Sequence, residues 1–203
     1  ALGCHAAATS FFPAKPLGCY GDGGAIFTED GELAACLRSI RTHGKGEDKY
    51  DNIRLGINGR LDTMQAAVLL AKLDIFANEV AERGQAAAWY GEDLSGLPGL
   101  LPPLLHPGNT SVWAQYCVLL REGARENVIA YLREEGIPTN IYYPKPLHML
   151  EALTHLGHAP EDFPEALAAS QRILALPFHP YLKRDDIKLV ALALSDALAG
   201  DAA

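Results

Sequence analysis

Lys15 stands between Pro13 and Pro16, after the aromatic pair Phe11 and Phe12 and ahead of Gly21, Asp22, Gly23 and Gly24. An ordinary surface lysine tolerates almost any neighbours. Here two prolines restrict the backbone on either side and aromatic bulk surrounds the base of the side chain, a pattern that reads as a device for holding an amine in place. A desolvated amine loses its proton more readily and can attack a carbonyl carbon, on a substrate or on an aldehyde cofactor. The other reading is a buried or anion-pairing structural lysine. The glycines let the chain turn tightly and bring backbone N–H groups close to a ligand. Their spacing is not that of the nucleotide-hydrolase phosphate loop, and no lysine follows them as that motif requires.

A second chemical stretch, residues 142–150, brings together Tyr142, Tyr143, Pro144, Lys145, Pro146 and His148. Its composition suits a rigid recognition loop lined by aromatics. Neither His148 nor His155 has a metal partner at ligand spacing, so a structural or hydrogen-bonding role is expected and no metal site. Cys4, Cys19, Cys36 and Cys117 show no CxxC or His-Cys pattern and read as free or buried thiols of a cytosolic protein.

The elements that must position these groups follow from periodicity and turn chemistry. Residues 25–28 read as a buried strand, and 32–41 as a short helix with Leu33, Leu37 and Ile40 near one face. Residues 42–60 are polar, glycine-rich and too long for a routine connection, which marks either a functional loop or a mobile stretch of surface. Asp62 with Gln65 forms a capping pattern for a long helix over 63–90. Its apolar surface, from Met64, Val68, Ala71 and Ile75 to Leu69, Leu73, Phe76 and Val80, is too wide for one buried stripe, so it bridges domains, meets another subunit or lies in a core. Pro98, Pro102, Pro103 and Pro107 then place a domain boundary. Beyond it we expect a strand over 112–120, a helix over 125–135 stopped by Gly136 and a second strand over 139–143. A helix from Pro164 to about residue 174 follows, and then a terminal helix directing Ile187, Val190, Leu194 and Leu198 inward.

Composition narrows the function. The net charge of -8 leaves no basic surface for nucleic acid. No apolar run reaches the length of a membrane span. The chain begins without a methionine, and one strand with two helices does not close a core, so residues 1–90 read as the end of a larger domain.

Several motifs in register resemble one family. Ser10-Phe11-Phe12-Pro13-Ala14-Lys15-Pro16-Leu17-Gly18, Gly21-Asp22-Gly23-Gly24-Ala25, His43-Gly44, Gly56-Ile57-Asn58-Gly59-Arg60-Leu61-Asp62 and Gln65-Ala66-Ala67 come first. Tyr143-Pro144, Pro146-Leu147-His148 and Leu176-Pro177-Phe178-His179-Pro180 follow. In this order they are similar to the DegT/DnrJ/EryC1/StrS sugar aminotransferases, in their carboxy-terminal portion only, and cover essentially the whole chain. The resemblance implies an α/β architecture, the type I pyridoxal-phosphate (aspartate aminotransferase-like) fold. Residues 1–90 would be the end of the large cofactor-binding domain with its bridging helix, and 91–203 the small carboxy-terminal domain. It implies a cytoplasmic homodimer with shared active sites and pyridoxal 5'-phosphate as cofactor. Lys15 would carry the cofactor and move the proton, Ser10 would bind its phosphate, and Asn58 would reach the phosphate of the neighbouring subunit.

The reaction implied is transfer of the amino group of L-glutamate to a nucleotide-linked keto-sugar for bacterial surface polysaccharide. The motifs look most like members acting on a 3-keto UDP-sugar, particularly a 3-keto uronic acid. Arg60, Tyr142, Tyr143 and His148 are the candidate substrate-binding residues, with Arg60 suited to a uronate carboxylate. Relatives commonly carry His-Tyr-Pro where Tyr142-Tyr143-Pro144 stands. The donors for the rest of the cofactor lie upstream of the lysine in the family, so the chain alone is expected to be inactive. Two alternatives remain at this level. One is the pyridoxal-dependent sugar dehydratase or deoxygenase chemistry of relatives in which histidine replaces the lysine, and the other is a non-catalytic binding module.

Overall fold

The computed structural model describes residues 3–48 and 50–200, which form two compact units, 1–77 and 78–203. Lys49, within the long loop, lies outside the described residues. The division falls inside one helix, whose last turns supply Ala86, Ala87, Tyr90 and Leu94 to the core of the second unit.

The first unit begins with an antiparallel hairpin, β1 (Ala7–Ser10) and β2 (Gly24–Phe27), paired from Ala7 opposite Phe27 to Ser10 opposite Gly24. A Cβ on Gly24 would come within 2.8 Å of the Thr9 carbonyl, so the pairing needs glycine there. β1 was not legible in the sequence, because AATS carries neither alternation nor β-branched bulk. The expectation of a buried strand over 25–28 is corrected: Ile26 and Phe27 are exposed, because no described element covers this two-stranded ribbon.

Helix α1 (Gly31–Ile40) starts at Asp30, whose carboxylate accepts the N–H groups of Glu32 and Leu33 at 2.9 and 3.0 Å. Helix α2 (Thr63–Leu94) runs further than expected, to Leu94. Gln65 does not fold back to close a capping box; its Oε1 accepts the Tyr20 N–H at 2.8 Å.

The second unit is a three-stranded antiparallel sheet, β3 (Leu100–Leu101), β4 (Tyr116–Leu120) and β5 (Ile173–Leu176), with β4 central. Helices α3 (Arg125–Glu134), α4 (Pro164–Arg172) and α5 (Arg184–Gly200) accompany it. Val118, Leu120, Val128, Leu132, Leu174, Ile187 and Leu194 are fully buried in one cluster. The inward residues expected on the terminal helix, Ile187, Val190, Leu194 and Leu198, all lie in it. Gly136 takes a left-handed φ of 73° directly after α3, as a helix stop requires.

Three expectations are corrected here. The strand over 112–120 begins only at Tyr116, since Trp113 sits at φ 46° and breaks extension. The strand over 139–143 reduces to one bridge, Asn140 to Ala175. The helix over 164–174 ends at Arg172, and Ile173–Leu176 pairs with β4 instead; a short apolar run of Ile, Leu and Ala does not reveal which period it will adopt.

Charged groups close the second unit's edges. Arg184 grips Asp93 with two bonds of 2.7 and 2.6 Å, tying α5 to α2, and Arg172 Nε donates to the Leu120 carbonyl at 2.6 Å. No helix among the described residues is long and apolar enough to cross a membrane.

Candidate active site

Lys15 lies on the connection between β1 and β2, and that connection is pinned by its backbone. Phe11 N–H donates to the Gly23 carbonyl at 2.8 Å and closes the base. Cys19 N–H donates to Phe11 O at 2.8 Å, while the buried Cys19 thiol bridges the carbonyls of Phe11 and Gly21, each at 3.0 Å. Lys15 N–H closes a tight turn on Phe12 O at 2.8 Å. A Cβ on Gly18 would meet the carbonyls of Phe12, Pro13 and Lys15 at 2.7, 2.8 and 3.0 Å, so only glycine permits this packing.

The held backbone is as the prolines suggested, but the amine's surroundings are not. Lys15 is exposed and Phe12 is 51% exposed, so the aromatic pair does not desolvate the amine within this unit. Ser10 ends β1, and its hydroxyl oxygen accepts the Phe12 N–H at 3.2 Å. Its own hydrogen remains available to a further acceptor.

The long loop 42–60 folds back on the end of α1 as an irregular hairpin. Bridges pair Thr42 with Asn58 and Lys45 with Asn52, and the N–H groups of Ile57 and Gly59 reach the carbonyls of Ile40 and Arg41, both at 2.8 Å. Ser39, buried, donates to Lys45 O at 2.6 Å. Gly44, at φ 74°, lies so close to Arg54 and Gly56 that a Cβ would run into the Arg54 carbonyl. Glycine content that suggested mobility in the sequence here permits backbone crossing. Asn58 and Arg60 project from this loop, exposed, and Arg60 Nη2 donates to Asn58 Oδ1 at 2.9 Å. Guanidinium can only donate, so the contact assigns the oxygen and leaves the Asn58 Nδ2 hydrogens free to bind an acceptor.

In the second unit, Tyr142, Tyr143 and His148 share one cavity of about 950 Å³. The two tyrosine rings meet edge-on at 5.6 Å, and His148 Nε2 donates to Pro160 O at 3.2 Å while its ring lies 4.8 Å from Phe163. Leu150, Leu153, Leu156, Ala166 and Ile173 line the rest, so the walls are largely apolar with polar groups at a few points. Sequence reasoning missed the far wall. Short 3-10 turns at Leu147–Met149, Glu151–Leu156 and Pro160–Asp162 bring His158 and Phe163 to it, and turns of that kind leave no periodic trace.

The second unit's core tyrosines are held neutral. Burial pushes Tyr116 up to about 12, and burial, then Tyr116 and Asp186, push Tyr90 higher still. Their rings stack at 4.8 Å and Tyr90 donates to Pro177 O at 2.9 Å. Burial lowers the Arg83 guanidinium, whose Nη1 donates to Trp113 O at 3.0 Å. Tyr90 and Tyr116 belong to the second unit's core, with Trp113 packed against it. Among the described residues, no group of three or more His, Cys, Asp or Glu is placed to hold a metal ion.

Known proteins resemble this chain in sequence and fold. The chain is 46% identical over 190 residues to the UDP-2-acetamido-2-deoxy-3-oxo-D-glucuronate aminotransferase of Pseudomonas aeruginosa, covering 94% of this chain and 51% of that protein. It is 39% identical over 198 residues to a dTDP-3-amino-3,4,6-trideoxy-alpha-D-glucose transaminase of Streptomyces venezuelae, covering 97% of this chain and 50% of that one. Among solved structures, a DegT DnrJ EryC1 StrS aminotransferase from Brucella abortus superposes with a TM-score of 0.87 at 51% identity, over 94% of this chain and 50% of that chain. The expected α/β architecture of the type I, aspartate aminotransferase-like fold is thus shown. The chain spans about half the length of the relatives it matches. Restricting the resemblance to a carboxy-terminal portion only is corrected by the family match itself, which runs over residues 1–195 and so takes in almost the entire chain. On that match, the protein belongs to the DegT/DnrJ/EryC1/StrS aminotransferase family.

Proposed function

We propose that the protein is a pyridoxal-phosphate-dependent aminotransferase of the cytoplasm, acting as a homodimer with shared sites. It exchanges the amino group of L-glutamate for the carbonyl oxygen of a nucleotide-linked keto-sugar. The carrying observation is Lys15, an exposed amine on a loop whose backbone is fastened at Phe11, Cys19 and Gly23.

The donor set fits the cofactor. A phosphate needs neutral or cationic donors, and Ser10 and Asn58 each keep hydrogens unspent after their internal contacts. Pyridoxal phosphate supplies the electron sink that lets a proton leave an amine-bearing carbon. Lys15 is suited to hold the cofactor and to carry that proton, because a fixed loop ends in a flexible side chain. Arg60, partly engaged by Asn58, retains guanidinium donors for a carboxylate. That residue and the similarity to the Pseudomonas enzyme support a UDP-linked 3-keto uronic acid as substrate, for surface polysaccharide. Tyr142, Tyr143 and His148 offer rings and donors for binding the sugar nucleotide. Exposed Ile53, Leu55, Ile57 and Met64 around Asn58 suit contact with a second subunit, with no nucleic acid or membrane partner proposed.

The test is cofactor loading, borohydride reduction and peptide mapping, followed by product mass with glutamate and the UDP keto-sugar. We expect the pyridoxyl group on Lys15 and an amino sugar as product. Labelling of another lysine, or loss of a sugar hydroxyl without gain of nitrogen, would overturn it.

A further inference from the structure

Two α2 side chains reach the segment immediately after Lys15. Lys72 Nζ donates to the Gly18 carbonyl at 2.6 Å and sits 5.4 Å from the centre of the Tyr20 ring. Two residues after Gly18, the Tyr20 N–H donates to Gln65 Oε1 at 2.8 Å, and the same side chain lies 3.2 Å from where a Cβ of Gly21 would stand. Gly18 in turn packs its Cα directly against the carbonyls of Phe12, Pro13 and Lys15. The contacts therefore run without a gap from α2 through Gly18 to the backbone of the lysine itself.

We propose that Lys72 and Gln65 are positioning residues for the Lys15 amine, acting through the Gly18–Gly21 turn; this rests on Lys15 being the cofactor lysine. Three features single them out. The prolines stiffen residues 13–16 but do not anchor them to anything, so an external anchor sets where the stiff loop points. The Lys72 bond is charge-assisted and half-buried, and stronger than the neutral turn bonds around it. Gln65 accepts from Tyr20 N–H, fixing the turn's rotation while Lys72 fixes its height along α2. Neither side chain needs to touch cofactor or substrate to do this.

The experiment compares Lys72→Met, Lys72→Arg and Gln65→Leu in the full chain. It reads amide hydrogen exchange at Lys15, Cys19 and Tyr20, trace acetylation of Lys15 and labelling of Lys15 by pyridoxal phosphate with borohydride. Melting temperature is recorded alongside. Lys72→Met is expected to speed exchange at Lys15 and Cys19 and to slow cofactor labelling by about tenfold, the scale of one lost charge-assisted bond. Lys72→Arg restores most of both, and Gln65→Leu speeds exchange chiefly at Tyr20. Wild-type exchange and labelling in Lys72→Met, or a fall in melting temperature with no local change at the turn, overturns the proposal. If wild-type Lys15 takes no pyridoxyl label, the cofactor reading fails by itself, while exchange and acetylation still decide whether Lys72 and Gln65 place the amine.

Discussion

The two units hold themselves together by different means. In the second, a sheet and helices enclose a continuous apolar cluster from Ala86 to Leu198. In the first, Cys19 and Leu69 are the only hydrophobic residues buried among those described, while Leu55 is 96% and Met64 77% exposed. Its loops are shaped instead by backbone hydrogen bonds and by glycines that let strands of chain touch. The contrast separates two tasks. Apolar burial supplies stability without directing individual groups, whereas hydrogen bonds and steric fit direct groups but contribute little net stability in water. Of the candidate residues, Ser10, Lys15, Asn58 and Arg60 sit in the unit shaped by hydrogen bonds and steric fit, while Tyr142, Tyr143 and His148 line a cavity of the apolar-cored one.

The sharpest way to break that contrast is to excavate the second core. Leu194→Ala should cost about 2–5 kcal/mol in denaturant unfolding, because it removes a fully buried side chain from a closed cluster. A cost under about 1 kcal/mol would mean the cluster collapses freely and is not the stabilising element.

Gly44→Ala attacks the first unit's own device. Its Cβ would meet the Arg54 carbonyl at a backbone φ of 74°, and we expect about 2–3 kcal/mol of local destabilisation. Hydrogen exchange should accelerate at Ile53, Ile57 and Gly59 while amides of β4 and β5 keep their protection. Loss of protection in both would merge the two regions into one cooperative unit.

Alkaline titration sharpens the difference without mutation. An unfolded tyrosine ionises near 10, and burial raises Tyr116 in the fold to about 12. The neutral form is the one the fold favours, so the contribution is complete below pH 10 and is lost as pH rises toward 12. Stability should fall by up to about 1.4 kcal/mol per pH unit for each buried tyrosine across that window. The part of the tyrosinate absorbance that belongs to Tyr90 and Tyr116 should therefore lag in the native state and appear with loss of the second unit's circular dichroism. The smallest effect is expected from Leu55→Ser, within about 0.5 kcal/mol for the dissociated chain, since the residue buries almost nothing. Sedimentation should show weakened self-association in the same variant.

Much of the helical frame was legible. The helix-stop glycine Gly136 and the inward spacing of Ile187, Val190, Leu194 and Leu198 act within a few residues of themselves, so their signal is local. The strands were poorly legible. Ala7–Ser10 and Ile173–Leu176 become strands because Gly24–Phe27 and Tyr116–Leu120 lie beside them, and short segments carry no mark of a partner distant in sequence. The same division holds at the candidate site, where Lys15 between its prolines and the aromatic cluster 142–148 could be named from residue types.

The sequence by itself determined which groups are available: Lys15 between its prolines, an asparagine and arginine two apart, and an aromatic loop with a histidine. Tertiary structure decided their circumstances. It left Lys15 exposed rather than desolvated, turned a glycine-rich loop into a pinned hairpin, and joined Gln65 and Lys72 to the turn behind the lysine across 45 and 54 residues. Residue type sets what a side chain can donate, accept or attack. Only the packed chain sets how far it stands from water and which distant atoms hold it there.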